Sequence, residues 1–134
     1  MIEKLTLLTI VVNDQEKALD FYTGVLGFEK RVDYTPPGHP RWVSVGPKGE
    51  RIEISLFQAG SNSDTRMPQP KGSGASWRLE TDDMRKDFQE LKSRGVEFEE
   101  TEPSESPWGL AATFSDPDGN KFSLLQPSPQ KAKW

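Results

Sequence analysis

The chain has 134 residues, of which 33% are hydrophobic and 28% are charged, and its formal net charge is −4 at pH 7. These values are typical of one globular domain, or of two half-size units with a shared core. The acidic balance, the lack of cysteine and the lack of an apolar run of roughly 20 residues argue against nucleic-acid binding, thiolate metal sites and a membrane span, so we expect a cytoplasmic protein.

The first half of the chain predicts a strand, a helix and three further strands. Residues 5–12 are apolar and β-branched, as in a buried strand. Asn13, with Glu16 three residues later, predicts a capped helix start, and Gly27 predicts the helix end. Turns rich in proline and glycine then separate three expected strands, at residues 28–33, 41–45 and 51–57.

The second half repeats this order after a polar linker at residues 58–73. We expect a strand at residues 75–81 and a helix that is capped by Asp82 or Asp83 and ends at Gly95. Further strands are expected at residues 96–99, 110–115 and 121–126, followed by a flexible tail at residues 128–134. The two modules would therefore span residues 1–57 and 74–127.

Internal similarity supports a duplication. Pro47-Lys48-Gly49 and Pro117-Asp118-Gly119 stand 70 residues apart, and each precedes alternating apolar positions. Val12-Asn13-Asp14 and Thr81-Asp82-Asp83 stand 69 residues apart, each between an apolar run and a predicted helix. A fixed spacing of this kind predicts a repeated βαβββ unit and an α+β fold.

Several motifs, taken together and in this order, resemble a known family. They are Thr9-Ile10-Val11-Val12-Asn13-Asp14, Val25-Leu26-Gly27-Phe28, Trp108-Gly109 and Phe114-Ser115-Asp116-Pro117-Asp118-Gly119-Asn120. The family is the vicinal oxygen chelate superfamily of glyoxalases, bleomycin-resistance proteins and extradiol dioxygenases. The resemblance implies two βαβββ modules in tandem, which form a curved mixed sheet with a cavity for a small organic ligand. It also implies a homodimer.

The resemblance further implies four metal-ligand positions, but the residues there are poor ligands. The positions correspond to Leu7, Glu53, Ser76 and Ser123. Only Glu53 is a good donor, whereas a catalytic Zn²⁺ site needs about three nitrogen, oxygen or sulfur ligands. We therefore expect no metal cofactor.

Strand alternation separates a mixed face from an apolar face. The mixed face would contain the four family positions, and we predict that ligand-binding residues lie on it or beside it. They are Trp42, Glu53, Ser55, Phe57, Ser76, Arg78, Trp108 and Ser123. Both Trp42 and Trp108 have an alternative interpretation as packing residues of a small core.

Glu53 also has two interpretations. Its carboxylate could bind the ligand or act as a general base, or it could form an ion pair with Arg51 or Arg78, since an unpaired buried charge is costly. The sequence thus favours a metal-independent protein that binds and sequesters a drug or metabolite. One alternative is a lyase, isomerase or dioxygenase with an atypical metal site at Glu53. A second alternative is an interaction module with a filled cavity.

Overall fold

The computed structural model describes residues 1–60 and 77–128 of the chain. The chain divides into two units, Met1–Gly74 and Ala75–Trp134, and each unit contains one four-stranded mixed sheet. The α+β fold class is thereby confirmed. Among these residues, no helix has both the length and the apolar character that crossing a bilayer requires.

The first unit places one helix against a sheet of four strands. The strands are β1 (Leu7–Val12), β2 (Glu29–Tyr34), β3 (Trp42–Gly46) and β4 (Glu53–Gln58). Helix α1 (Gln15–Asp20) continues into a π-helical turn at Phe21–Val25. The sheet order is β1-β4-β3-β2, with β1 parallel to β4 and the other neighbours antiparallel.

The core of the first unit lies between α1 and one face of this sheet. Ala18 and Tyr22 from the helical segment are fully buried, as are Val12, Val43 and Leu56 from the strands. The buried amide of Gln15 donates hydrogen bonds to the backbone oxygens of Leu56 and Arg41, both at 3.0 Å. This polar side chain therefore joins the helix to β4 and to the residue before β3.

The second unit repeats the arrangement. Its elements are β5 (Trp77–Glu80), α2 (Met84–Ser93), β6 (Ser104–Ser106), β7 (Gly109–Ser115) and β8 (Lys121–Pro127). The order β5-β8-β7-β6, with β5 parallel to β8, matches that of the first sheet. Aromatic rings fill much of the core: the centroids of the Phe88 and Phe98 rings are 4.1 Å apart, and those of Phe114 and Phe122 are 5.4 Å apart.

At the start of each helix, an aspartate and a glutamine side chain accept hydrogen bonds from backbone nitrogens. Asp14 accepts hydrogen bonds from the backbone nitrogens of Glu16 and Lys17, and Asp83 caps α2 in the same way. The predicted cap at Asn13 is therefore wrong by one residue. A glutamine from the last strand adds a second acceptor: Gln58 accepts from the backbone nitrogen of the first residue of α1 at 3.3 Å, and Gln126 does so for α2 at 2.8 Å.

One predicted strand is also wrong. Residues 96–99 form a single bridge, Phe98 with Phe114, and the edge strand next to β7 is instead Ser104–Ser106. Phe98 packs against α2 through its stacking on Phe88, which accounts for its apolar character without a strand. Residues 61–73 of the predicted linker and residues 129–134 of the predicted tail lie outside the described residues, and the module boundaries remain predictions.

Candidate functional site

The candidate site is assembled on the face of the first sheet opposite α1. The parallel pairing of β1 with β4 places Leu7 beside Glu53 and Thr9 beside Ser55. The antiparallel pairing of β3 with β4 adds Ser44 beside Ser55. Neighbouring residues in register share a face. The Leu7 side chain, the Glu53 carboxylate and the three hydroxyl groups therefore lie together there.

Two aromatic residues adjoin the hydroxyls on this face. Trp42 precedes Ser44 by two positions on β3, and Phe57 follows Ser55 by two positions on β4. Alternation therefore places both aromatic side chains on the same face as the serines. Both residues are partly exposed, as Glu53 and Thr9 are, whereas Ser44 and Ser55 are buried. The face thus combines accessible rings with shielded hydroxyls.

Ser44 is the residue that the sequence analysis missed. Its hydroxyl is fully shielded from solvent and has no hydrogen-bond partner within the described part of the chain. Alternation in Trp42-Val43-Ser44-Val45 could have placed it on the candidate face, because it stands two residues from Trp42. The lack of a partner could not have been read from the sequence.

The Glu53 carboxylate is not neutralised within its own unit. Across residues 1–60 it forms no ion pair, and Arg51 in particular does not contact it. The predicted ion pair with Arg51 is therefore wrong, and the pair with Arg78 remains a prediction. Glu53 is only partly buried, so water can solvate the charge. A free carboxylate of this kind can accept hydrogen bonds from a bound molecule.

A charge cluster surrounds Arg41, the residue before Trp42. The Arg41 guanidinium donates two hydrogen bonds to the Asp33 carboxylate, both at 2.8 Å, and lies 2.6 Å from a Glu16 oxygen. The hydrogen bonds from Arg41 lower the pKa of Asp33, and those with Asp33 and Glu16 raise the pKa of Arg41. The cluster ties β2 and α1 to the residue before β3.

In the second unit, Arg78 and Ser123 lie on the corresponding face. Arg78 is in register with Ser123, which is also in register with Thr113. Arg78 is exposed and Ser123 is partly buried, and Arg78 has no ion pair within residues 77–128. Ser76 lies outside the described residues. Its role in ligand binding stays a prediction.

Trp108 lies in the tight turn between β6 and β7. Its backbone oxygen accepts a hydrogen bond from the Ser128 nitrogen at 2.8 Å, and its nitrogen donates to the Ser106 hydroxyl at 3.2 Å. The residue is 43% exposed. Hydrogen bonds thus hold the backbone on both sides of Trp108, while nearly half of the residue is exposed to solvent.

The available donors do not fit a four-ligand metal centre. Leu7, beside Glu53, has no donor atom, and Ser123 offers only a neutral hydroxyl. Within residues 1–60 and 77–128, no three His, Cys, Asp or Glu side chains are grouped so that they could hold one ion.

A family model matches this architecture. The model of the Glyoxalase/Bleomycin resistance protein/Dioxygenase superfamily matches residues 4–124. The chain belongs to this superfamily. The family predicted from the sequence motifs is therefore confirmed, and the fold agrees with that of solved superfamily members.

Two solved structures and one curated relative illustrate the range of the superfamily. TnmS3, an antibiotic binding protein from Streptomyces sp. CB03234, is 41% identical, with a TM-score of 0.81 and coverage of 95% of this chain and 98% of that chain. A superfamily member from Sphaerobacter thermophilus is 39% identical, with a TM-score of 0.82 and coverage of 93% and 98%. A lactoylglutathione lyase from Neisseria meningitidis is 30% identical over 86% of this chain and 84% of its own length.

Proposed function

We propose that this superfamily member is a metal-independent binding protein that sequesters a small aromatic molecule, such as a drug or metabolite. The observation that carries the proposal is the pairing of Leu7 with Glu53. At the position where the resemblance implies a metal ligand, an isobutyl group stands beside the remaining carboxylate. This combination suits contact with an organic molecule better than coordination of an ion.

The chemistry of the candidate face supports the same conclusion. Trp42 and Phe57 provide flat apolar surfaces, and Glu53 provides a hydrogen-bond acceptor on the same face. Binding sites for small molecules commonly combine mainly apolar walls with a few polar groups that orient the ligand. The 41% identity to an antibiotic binding protein supports an antibiotic-like ligand. The cytoplasmic location expected from the sequence suits such a role.

Calorimetric titration with bleomycin and a panel of aromatic antibiotics tests the proposal. We expect saturable binding of at least one compound, which mass spectrometry then recovers unchanged after long incubation. Trp42→Ala and Glu53→Gln should each weaken binding roughly tenfold or more, as hot-spot contacts do. Glu50→Gln is the matched control, because Glu50 is exposed in the turn before β4.

Three results of this titration would contradict the proposal. Chemical conversion of the bound compound would favour an enzyme. Unchanged affinity in both site variants would place the ligand elsewhere. If no compound bound, the interaction-module alternative would gain support.

The enzyme alternative has one specific observation in its favour, the 30% identity to a lactoylglutathione lyase. It can be tested by following thioester formation from methylglyoxal and glutathione, with Zn²⁺, Ni²⁺ or Mn²⁺ added in turn. We expect no rate above the uncatalysed reaction. A metal-dependent rate that Glu53→Gln abolishes would establish the lyase alternative instead.

We also expect the homodimer that the sequence resemblance implies. Light scattering coupled to gel filtration should give twice the mass of one chain. A monomer mass across a wide concentration range would contradict this expectation.

A further inference from the structure

Three hydroxyl groups form a continuous row across the first sheet. Thr9 on β1 is in register with Ser55 on β4, which is in register with Ser44 on β3. Adjacent strands lie about 5 Å apart, so the row extends about 10 Å across the sheet. All three side chains share the face that also contains Trp42 and Glu53.

The Ser44 hydroxyl, at the inner end of the row, is an energetic anomaly. Ser44 is 0% exposed and Ser55 is 1% exposed, and the Ser44 oxygen has no hydrogen-bond partner within residues 1–60 and 77–128. A buried hydroxyl without a partner destabilises the folded state, and alanine at the same position would avoid this cost. The serine is therefore better explained by a bound state than by the free protein.

The neighbours of the row indicate which molecule would complete it. Along β4, Phe57 lies about 7 Å from Ser55 on one side, and Glu53 lies about 7 Å from it on the other. Trp42 lies two residues before Ser44 on β3. Because β3 and β4 are antiparallel, Trp42 lies on the same side of the hydroxyl row as Phe57. The face thus presents rings, then hydroxyls, then a carboxylate.

Partly exposed side chains adjoin the row of hydroxyls. Thr9, Trp42 and Phe57 are all partly exposed. A ligand bound against Trp42 and Phe57 would lie beside the serine hydroxyls, because alternation places these side chains on one face.

From this arrangement we infer that Ser44 is a specificity-determining residue, whose hydroxyl donates a hydrogen bond to a hydroxyl or carbonyl oxygen on an aromatic ligand. The inference rests on the proposed small-molecule binding and adds the chemical class of the ligand. Sites that hydrogen-bond a ligand oxygen discriminate strongly against analogues that lack it, because the protein group is then left unpaired.

The test compares 2-naphthol with 2-methylnaphthalene, which has a methyl group in place of the hydroxyl, by fluorescence titration of the full chain. Wild type should bind 2-naphthol about tenfold more tightly. Ser44→Ala should abolish this preference and raise the Tm of the free protein by about 4 °C, since an unpaired polar group is removed. Ser93→Ala is the control, because the exposed Ser93 hydroxyl already donates to the Glu90 oxygen at 2.7 Å.

The outcomes separate this inference from the proposed function. Loss of the preference together with higher stability supports it. A preference that survives Ser44→Ala, or a less stable Ser44→Ala protein, overturns it even if the antibiotic panel binds. If wild type does not prefer 2-naphthol, the assigned ligand class is wrong. The proposed function is tested separately, by the titration with the antibiotic panel.

Discussion

Gly109 occupies a position where no other residue fits without a shift of the backbone. Its φ of +136° lies in a region that residues with a side chain rarely adopt. A Cβ atom added there would lie 2.0 Å from the backbone oxygen of Gln126 and 2.8 Å from the nitrogen of Ser128. Gly109 is the first residue of β7 and lies directly opposite Pro127, the last residue of β8.

Gly109→Ala should therefore lower the free energy of unfolding by about 3 kcal/mol, because steric overlap adds to backbone strain. Urea denaturation would measure the change. Gly49→Ala is a matched control, since Gly49 also has a positive φ, +83°, but a Cβ atom there would have open space. Equal losses in the two variants would contradict a role for steric overlap.

At the scale of elements, one arginine holds the turn between β3 and β4. Arg31 stands where the pairing of β2 with β3 shifts register. Its guanidinium donates to the backbone oxygens of Pro47 at 2.8 Å, Glu50 at 2.6 Å and Ile52 at 3.4 Å. The turn leads directly into Glu53, so this side chain also positions the start of the candidate site.

Arg31→Met should destabilise the protein by about 2 kcal/mol, because partly buried carbonyl groups lose a charged donor. Lys30→Met should change stability by less than about 0.5 kcal/mol, since the Lys30 side chain is 52% exposed. Both values can be obtained from chemical denaturation. Similar effects of the two substitutions would show that the contacts to the turn contribute little.

The cluster of Arg41, Asp33 and Glu16 predicts a specific pH dependence. Hydrogen bonds from Arg41 lower the pKa of Asp33 below its ordinary value of 3.8. The stabilisation from Asp33 is thus fully present above the pKa of the unfolded state and is lost as the pH falls through the lower pKa of the folded state.

Asp33→Asn should therefore be less stable than wild type at pH 7, and the difference should shrink below pH 3.8. Thermal unfolding across a pH series would measure it. Asp20→Asn serves as the control, because Asp20 forms no ion pair within residues 1–60. A difference that stays constant down to pH 2 would contradict the assignment.

At the scale of the whole molecule, the two units repeat one connectivity but differ in the chemistry of their corresponding faces. Glu53 in the first unit has Ser123 as its counterpart in the second, 70 residues later. Glu53 lies beside Leu7, and Ser123 lies beside Arg78. Among these four residues, Glu53 alone carries a carboxylate, so neither pair offers the donors of a transition-metal site.

We therefore expect protein purified without chelators to contain well below one transition-metal ion per chain. Added Zn²⁺ or Ni²⁺ should leave the Tm unchanged, since only a ligand that binds the folded state raises it. Elemental analysis and thermal scans measure the two quantities. A stoichiometric ion that Glu53→Ala removes would refute the metal-independent proposal.

Much of the architecture could be predicted from the sequence, because strand alternation is a local property. The pairing of Leu7 with Glu53 and the shared face of Thr9 and Ser55 both agree with the predicted mixed face. Phe122 and Leu124, which flank Ser123 and so belong to the predicted apolar face, are buried. These assignments require only a period of two and the correct strand type.

The errors arose where local patterns are ambiguous or where distant residues decide. Asn13 and Asp14 are adjacent residues of cap-forming type, so propensity alone cannot choose between them. Strand β6 is Ser-Glu-Ser and has no apolar alternation, while Phe98 has the apolar character of a strand but packs on Phe88. The unpaired state of Ser44 depends on neighbouring strands.

The glutamine acceptors at the two helix starts have a consequence for the order of folding. Gln58 reaches a backbone nitrogen 43 residues earlier, and Gln126 reaches one 42 residues earlier. The last strand of each unit must therefore be synthesised before this hydrogen bond at the start of the helix can form. We therefore expect the start of each helix to become ordered late in folding, because contacts between residues distant in sequence form more slowly than local ones.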